Sequence, residues 1–332
     1  MKELRSTFTA SDGAVISYLD IGEGIPFVWI HGWGGEALTQ LPLLRGLAAQ
    51  GFRCLCFDQR GCGQSPATPN LGVPRSAQDT KELLEHLNID DAVVLGYSMG
   101  GAVLFHYLQE YGTERLSKII IGDMSPKPVS DGGWKLGIYQ GWYTKEQMER
   151  DLYNMEHNYK AFSVFFAEQT IFQHTPDEVR TFDESPEFER AVREKSAAAG
   201  KTELLEHLID APVENRRTNR IYWESCDSRD YRKALKRIDV PTGLFFADPG
   251  SLYSPKIAEW IAERVPDTTI YLFHGCTHLA SGEKPLEFIK AIADFSKKAE
   301  KKKVFCRRRE KANGQVPEGT WPFAIVENNM CL

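Results

Sequence analysis

Short apolar runs and helical patterns follow one another along the first 126 residues of the chain. The apolar runs have the length and the content of β-branched and aromatic residues expected of buried strands, and they lie at residues 25–30, 52–57, 92–95 and 116–121. Between these runs, leucines recur at helical spacing in otherwise polar stretches. Strands that alternate with helices predict a mostly parallel sheet that carries helices on both faces.

The beginning of the chain follows a two-residue period instead. Residues 6–20 alternate on either side of Asp12 and Gly13, a pair that is typical of a tight turn, so this stretch is predicted to form a hairpin. Further along, Ser76 is predicted to cap the amphipathic helix that follows the strand at residues 52–57, because a serine hydroxyl can accept a hydrogen bond from the first helical turn.

Only helical patterns remain between residues 127 and 233, rich in aromatic side chains at first and more polar afterwards. Strand-like runs return at residues 240–246 and 269–273, each followed by a helical pattern. We therefore predict an α/β core of residues 1–126 and 234–296. Residues 127–233 are predicted to be inserted into this core as a helical cap over the carboxyl edge of the sheet.

Composition and charge narrow the class of protein. The 332 residues are 42% apolar, enough for a large buried core, and the net charge of −6 argues against nucleic acid as the main partner. Residues 297–332 carry nine Lys or Arg and four Glu, a net +5, which leaves −11 for the rest of the chain. This basic tail has no periodicity. We predict that it is disordered and assign it no chemistry, with an anchor for nucleic acid or anionic lipid as the alternative.

The cysteines and the apolar runs bear on the compartment. Seven cysteines, an odd number without C-x-x-C spacing, are typical of reduced thiols in a cytoplasmic protein. Residues 1–13 lack the apolar core of a signal peptide. No apolar run approaches the ~20 residues of a membrane span. No histidine or cysteine pair has metal-ligand spacing, and no G-x-G-x-x-G loop follows a strand, so neither a metal nor a cofactor is expected.

One motif joins a predicted strand directly to a predicted helix. Residues 96–100 read Gly-Tyr-Ser-Met-Gly, and a helical pattern follows at once. Such a turn leaves no room for side chains at the flanking glycines and projects the Ser98 hydroxyl at the end of the strand. The N–H of Met99 then lies at a helix N-terminus, where the local field favours a developing negative charge.

This strand–turn–helix resembles the nucleophile elbow of the α/β-hydrolase superfamily. The resemblance covers about residues 8–295 in motif order and is specific for the superfamily only. It implies an eight-stranded, mostly parallel sheet with helices on both faces and a helical cap. It also implies that Ser98 is the nucleophile of an acyl-transfer reaction, served by a histidine base, a carboxylate that orients the base, and an oxyanion hole.

The histidine and the oxyanion donors have candidates in the expected places. Residues 275–278 resemble the histidine loop that follows the last strand of the superfamily, which makes His278 the general base, with His274 as its only serious rival. His31 and Gly32 resemble the motif after the third strand, which assigns one oxyanion donor to the N–H of Trp33 and the other to Met99.

The position of the carboxylate that orients the histidine differs from that in most members of the superfamily. Most members carry it about four residues before a proline after the seventh strand, but that count from Pro255 reaches Ser251, which has no charge to hold an imidazolium. Two aspartates remain: Asp123, at the end of the strand that follows the Ser98 helix, and Asp248, displaced towards the strand before Ser251. Both are expected on the same edge of the sheet as Ser98, and we favour Asp123.

The predicted function is hydrolysis of a carboxylic ester or lactone through an acyl-enzyme on Ser98. The aromatic residues between 134 and 172 favour a small to medium apolar acyl substrate, although they can equally form the core of the cap itself. Carbon–carbon bond hydrolysis, a lyase reaction or cofactor-free peroxidation on the same residues is the first alternative, and a non-catalytic ligand receptor is the second. Dehalogenation and epoxide hydrolysis are disfavoured, because members of the superfamily with these activities use aspartate at the position of Ser98. The oligomeric state is not predicted.

Overall fold

The structure is a computed structural model that describes residues 4–178, 182–209 and 213–298. The predicted basic tail lies outside the described residues except for its first two. Two 3₁₀ turns, Tyr139–Gly141 and Ala234–Arg237, flank the helices in the middle of the chain.

Eight strands form one sheet in the order β1-β2-β4-β3-β5-β6-β7-β8. Their bounds are β1 Leu4–Thr9, β2 Val15–Ile21, β3 Ile25–Ile30, β4 Phe52–Phe57, β5 Ala92–Tyr97, β6 Leu116–Gly122, β7 Thr242–Pro249 and β8 Thr268–Cys276. The pairs β1–β2 and β2–β4 are antiparallel, and every other neighbouring pair is parallel. The prediction of an eight-stranded, mostly parallel sheet is confirmed, and β1 and β2 form the predicted hairpin.

Helices cover both faces of the sheet. Their bounds are α1 Leu41–Ala48, α2 Val73–His86, α3 Met99–Tyr111, α4 Lys145–His157, α5 Tyr159–Ile171, α6 Pro186–Ala198, α7 Thr202–Ile209, α8 Val213–Asp227, α9 Lys256–Ala262, α10 Ala280–Glu283 and α11 Pro285–Lys297. Side chains of α1 and α11 pack on one face, and those of α2, α3 and α9 pack on the other. The central strand β5 is buried along its whole length because successive side chains enter opposite cores.

The start of α2 differs from the sequence prediction. The helix begins at Val73, and Ser76 lies inside it, where its N–H donates to the carbonyl of Gly72 at 3.0 Å. Pro74 is accommodated in the first helical turn, where it needs no hydrogen-bond partner for its nitrogen. The N–H of Val73 donates to Ser225 Oγ at 3.0 Å, so a residue of α8 satisfies this helix end.

Five helices, α4–α8, lie between β6 and β7, in the stretch for which the sequence predicts a helical insertion. Their side chains pack against each other and extend the core on the α2–α3 face of the sheet. Helix α5 is buried at eleven of its thirteen positions, so it has almost no solvent-facing side. The assignment of residues 127–233 as a cap stays a prediction.

Three further properties concern the described part of the chain. None of its helices is long and apolar enough to cross a membrane. Within the same residues, no group of three or more His, Cys, Asp or Glu side chains could hold a metal ion. The five cysteines of this part, Cys54, Cys56, Cys62, Cys226 and Cys276, are free and buried.

Candidate active site

The turn between β5 and α3 consists of Ser98 alone. Its backbone has φ +55° and ψ −128°, a conformation that non-glycine residues rarely adopt. The chain needs glycine on both sides: a Cβ at Gly96 would lie 2.3 Å from the carbonyl oxygen of Gly100, and one at Gly100 would lie 2.1 Å from that of Ile30. Close packing at these glycines holds the serine in the strained conformation, and its side chain stays partly exposed.

Ser98, His278 and Asp123 form one continuous hydrogen-bonded chain. Ser98 Oγ lies 2.8 Å from His278 Nε2, and His278 Nδ1 lies 2.6 Å from Asp123 Oδ2. Because the Asp123 carboxylate accepts the proton of Nδ1, Nε2 is left free to accept the hydroxyl proton of the serine. The ring and the carboxylate are buried, whereas Ser98 is only partly buried.

Strand β6 and its neighbour β7 fix the position of Asp123. This residue follows β6 directly, at φ +42°, and its N–H donates to the carbonyl of Phe245 at 2.8 Å. Its Oδ1 accepts the N–H of Ala247 at 3.3 Å. Asp123 is thus fixed by its position at the end of β6 and by two hydrogen bonds to β7, and its Oδ2 is available to accept the proton of His278 Nδ1.

Asp248, the other aspartate considered for the acid, contacts a different histidine. It is still within β7, where it pairs with His274 of β8, and its Oδ2 lies 2.6 Å from His274 Nδ1. The His274 side chain is 72% exposed. The structure therefore brings His278 and Asp123 together at Ser98, while Asp248 and His274 form a separate pair at the surface.

Two hydroxyl groups hold the backbone of His278. The hydroxyl of Tyr97 donates to the carbonyl of His278 at 2.7 Å, and the N–H of His278 donates to Ser251 Oγ at 2.7 Å. Sequence reasoning treats Ser251 only as a place where a carboxylate is missing. The one sequence feature that points to a role is its position about four residues before Pro255, where most members of the superfamily carry the acid.

The loop after β3 lies against Ser98. A Cβ at Gly32 would lie 3.1 Å from Ser98 Cβ and 3.5 Å from Ser98 Oγ. His31 is fully buried beneath this loop: its Nε2 accepts the N–H of Gln59 at 3.1 Å, so Nδ1–H donates to the carbonyl of Gly32 at 2.9 Å. Burial lowers the pKa of His31, which keeps the ring neutral and in this role. The assignment of Trp33 and Met99 as oxyanion donors stays a prediction.

Aromatic side chains surround the indole of Trp33. Its ring centroid lies 5.9 Å from that of Phe162, 5.1 Å from that of Phe166 and 5.3 Å from that of Trp223, all near edge-to-face. We call these four residues the aromatic cluster. The indole N–H of Trp33 donates to the carbonyl of Asn219 at 2.8 Å, which fixes the ring against α8. Helices α5 and α8 thereby present an apolar wall beside the loop that approaches Ser98.

The buried carboxyl group of Asp227 is linked to Trp223 of the aromatic cluster through Tyr143. The indole N–H of Trp223 donates to the hydroxyl of Tyr143 at 2.8 Å, and Tyr143 in turn hydrogen-bonds the carboxyl of Asp227. Asp227 is 5% exposed, and its Oδ2 has no hydrogen-bond partner among the described residues. Burial, assisted by the nearby Asp151, raises the pKa of Asp227 to about 8, so this carboxyl is mostly protonated at neutral pH.

This raised pKa predicts a pH-dependent stability. The folded state holds the Asp227 proton up to about pH 8, whereas the unfolded chain releases it near 3.8, so stability falls as the pH rises between these values. In Asp227→Asn that loss is absent. At 1.36 kcal/mol per pH unit, we expect the variant to gain roughly 4 kcal/mol relative to the wild type between pH 5 and pH 9. Urea unfolding at both pH values measures the change.

The exposed Asp91→Asn serves as the control for the loss of one carboxylate and should follow the wild type at both pH values. A difference between Asp227→Asn and the wild type that is the same at pH 5 and at pH 9 would show that Asp227 is ionised in the folded protein throughout this range.

Residues 25–136 match a family model that is described as the alpha/beta hydrolase fold. A non-heme chloroperoxidase from Kitasatospora aureofaciens is 34% identical over 114 residues, which cover 34% of this chain. The matched region spans only 42% of that relative, less than half of its length.

Two solved structures resemble the whole fold. An esterase from Exiguobacterium antarcticum has a TM-score of 0.73 at 21% identity, with 89% of this chain and 100% of the esterase covered. A bromoperoxidase from Bacillus anthracis has a TM-score of 0.70 at 22% identity, with 88% and 100% covered. With the strand order, the turn at Ser98 and the match over residues 25–136, these likenesses lead to one conclusion: the chain has the α/β-hydrolase fold.

Proposed function

We propose that this protein is a serine hydrolase that cleaves carboxylic esters or lactones through an acyl-enzyme on Ser98. The observation that carries the proposal is the hydrogen-bonded chain from Ser98 Oγ through His278 to Asp123, with contacts of 2.8 and 2.6 Å. A serine hydroxyl is a weak nucleophile unless a base removes its proton as it attacks. An imidazole that is buried and oriented by a carboxylate meets that need.

The reaction has two halves. Ser98 Oγ attacks the acyl carbonyl while its proton passes to His278 Nε2, and the resulting imidazolium faces the Asp123 carboxylate. The N–H groups of Trp33 and Met99 stabilise the tetrahedral oxyanion. When this intermediate collapses, the alcohol leaves with the proton from Nε2. In the second half, water attacks the acyl-enzyme while Nε2 takes its proton, and that proton returns to Ser98 Oγ as the carboxylic acid leaves.

The surroundings of Ser98 support an apolar acyl group. The aromatic cluster lies on the loop and helices beside the nucleophile, and Tyr253 adds a ring whose centroid is 5.8 Å from that of His278. An apolar acyl chain or ring can pack against such side chains without leaving a polar group unpaired. In this proposal, residues 127–233 are the cap that supplies α5 and α8 to the substrate side.

A second candidate activity uses the same acyl-enzyme. Hydrogen peroxide can take the place of water as the attacking nucleophile, which releases a peracid and regenerates the Ser98 hydroxyl. The name of the relative from Kitasatospora aureofaciens, a non-heme chloroperoxidase, favours a test of this reaction. The two activities share the acylation half and differ only in the nucleophile of the second half.

A fluorophosphonate probe and an ester panel test the proposal together. We expect the probe to label Ser98 covalently in the folded protein and not after heat denaturation, with the modified residue located by peptide mass spectrometry. Chromogenic esters from acetate to decanoate and a set of lactones then define the acyl preference, and added hydrogen peroxide separates peracid formation from hydrolysis. Saturable ligand binding without labelling would favour a non-catalytic receptor and would contradict the proposed hydrolysis.

A further inference from the structure

The loop after β7, residues 250–254, accepts several hydrogen bonds from residues that lie between β6 and β7 in the sequence. The backbone N–H of Gln140 donates to the carbonyl of Leu252 at 2.8 Å, and its side-chain amide donates to that of Tyr253 at 3.0 Å. The N–H of His174 donates to the carbonyl of Gly250 at 3.1 Å. The loop therefore has a conformation that depends on the helical segment as well as on the sheet.

Gln140 itself lies in a backbone conformation that needs support. Its φ is +57° and that of Tyr139 is +54°, two consecutive non-glycine residues in the left-handed region. Such strain persists only where the surrounding contacts over-determine the conformation, and it concentrates at functional sites. Both residues are buried, and the hydrogen bonds of Gln140 to the 250–254 loop are among the contacts that support this conformation.

Ser251 occupies the centre of this loop and is fully buried. Its hydroxyl donates to the carbonyl of Thr170, in α5, at 2.9 Å and accepts the N–H of His278 at 2.7 Å. Because the single hydroxyl proton is committed to Thr170, a lone pair of the same oxygen is directed to the histidine backbone. Ser251 thus connects α5 to the residue whose ring contacts Ser98.

We propose that Ser251 is a positioning residue for His278, an inference that rests on the proposed role of His278 as the general base. The imidazole has close contacts on both ring nitrogens, 2.8 Å to Ser98 and 2.6 Å to Asp123, so a small shift of its backbone breaks one of them. Without the Ser251 hydroxyl, the His278 N–H is a buried donor without an acceptor, and its peptide moves to find another. The ring moves with it.

Three variants test this role. Ser251→Ala removes the hydroxyl and should lower kcat by about 10- to 100-fold while KM changes less than about twofold, because the base is displaced but the acyl site is not. Ser251→Thr keeps the hydroxyl and should recover most of the lost kcat. Ser254→Ala is the matched control, a buried serine of the same loop whose Oγ accepts the N–H of Lys256, and it should retain the wild-type kcat.

A spectroscopic readout separates this proposal from the proposed function. The proton of His278 Nδ1, shared with Asp123, should give a low-field proton NMR signal that disappears in Asp123→Asn. We expect it to be sharp in the wild type and Ser254→Ala, broadened or lost in Ser251→Ala, and restored in Ser251→Thr. If the wild type neither reacts with the fluorophosphonate nor cleaves any ester, the proposed function fails, and the NMR series still decides whether Ser251 orients His278.

One result would overturn the inference: a folded Ser251→Ala that keeps both the low-field signal and the wild-type kcat. If Ser251→Ala does not fold, Ser251→Cys takes its place, since it fills the space of the hydroxyl with a thiol, which is a weak hydrogen-bonding group. The same loss of kcat and of the signal supports the role, and their retention in the cysteine variant contradicts it.

Discussion

Replacement of Ser98 with alanine is expected to lower kcat for the best ester of the panel by about 10⁴-fold or more, and to abolish fluorophosphonate labelling. Without the hydroxyl, the reaction loses the covalent step. In the proposed mechanism, His278 and the oxyanion donors can then act only on a direct attack by water. Burst and steady-state kinetics on a chromogenic ester measure the change, with mass spectrometry as the check on labelling.

The matched control is Ser117→Ala. Ser117 lies near the start of β6, whereas Asp123 follows the end of this strand, and the Ser117 hydroxyl donates to the carbonyl of Asp91. We expect this variant to keep the wild-type kcat and the label. Ser98→Ala should also keep the stability of the fold, because the change removes one partly exposed hydroxyl. Turnover by Ser98→Ala at the wild-type rate would assign the nucleophile to another residue.

The parts of this fold that sequence alone predicts are those set by local geometry. Strand and helix follow from the hydrophobic pattern. In β5 the pattern is a short continuous apolar run ended by a glycine-containing turn, as expected of a strand that is buried on both faces, and all six residues are buried. The turn at Ser98 is equally local. Gly96 and Gly100 are required because of contacts made within one turn and one neighbouring strand, and the motif therefore carries most of its structure with it.

The features that the sequence does not determine depend on contacts between residues that are far apart in the chain. The choice between Asp123 and Asp248 turns on where β7 ends, because a strand that runs to Pro249 places Asp248 opposite His274 and away from His278. No sequence period specifies that end. Helix α2 shows the same limitation, since its first N–H is satisfied by Ser225, a residue 152 positions away, and not by a serine in its own first turn.

Ser251 shows how a position can be identified and its role still missed. Its spacing from Pro255 singles it out, but its partners, Thr170 and His278, lie 81 and 27 residues away. The first belongs to a helix whose packing against the loop only the folded structure shows. A residue that supports a site through hydrogen bonds to backbone groups is hard to identify from sequence. Its partner is a backbone N–H or C=O group, and these groups are present whatever side chain the partner residue carries.

Replacement of Asp123 with asparagine is expected to lower kcat by about 10³- to 10⁴-fold with little change in KM. An asparagine amide can donate to His278 Nδ1 where the carboxylate accepts from it. This reversal moves the ring proton to Nε2, the nitrogen that faces Ser98 Oγ at 2.8 Å. The imidazole then cannot take the proton of the serine, and no carboxylate is present to stabilise an imidazolium.

Asp248→Asn is the matched control for this substitution, since the chemical change is the same and the residue lies on the neighbouring strand. Its carboxylate contacts His274, which is 72% exposed, and not His278. We expect kcat to stay within about twofold of the wild type, as for most surface substitutions. A large loss in Asp248→Asn together with near-normal turnover in Asp123→Asn would transfer the role of the acid to Asp248. It would also mean that the end of β7 rearranges during catalysis, because in the structure Asp248 pairs with His274 and not with His278.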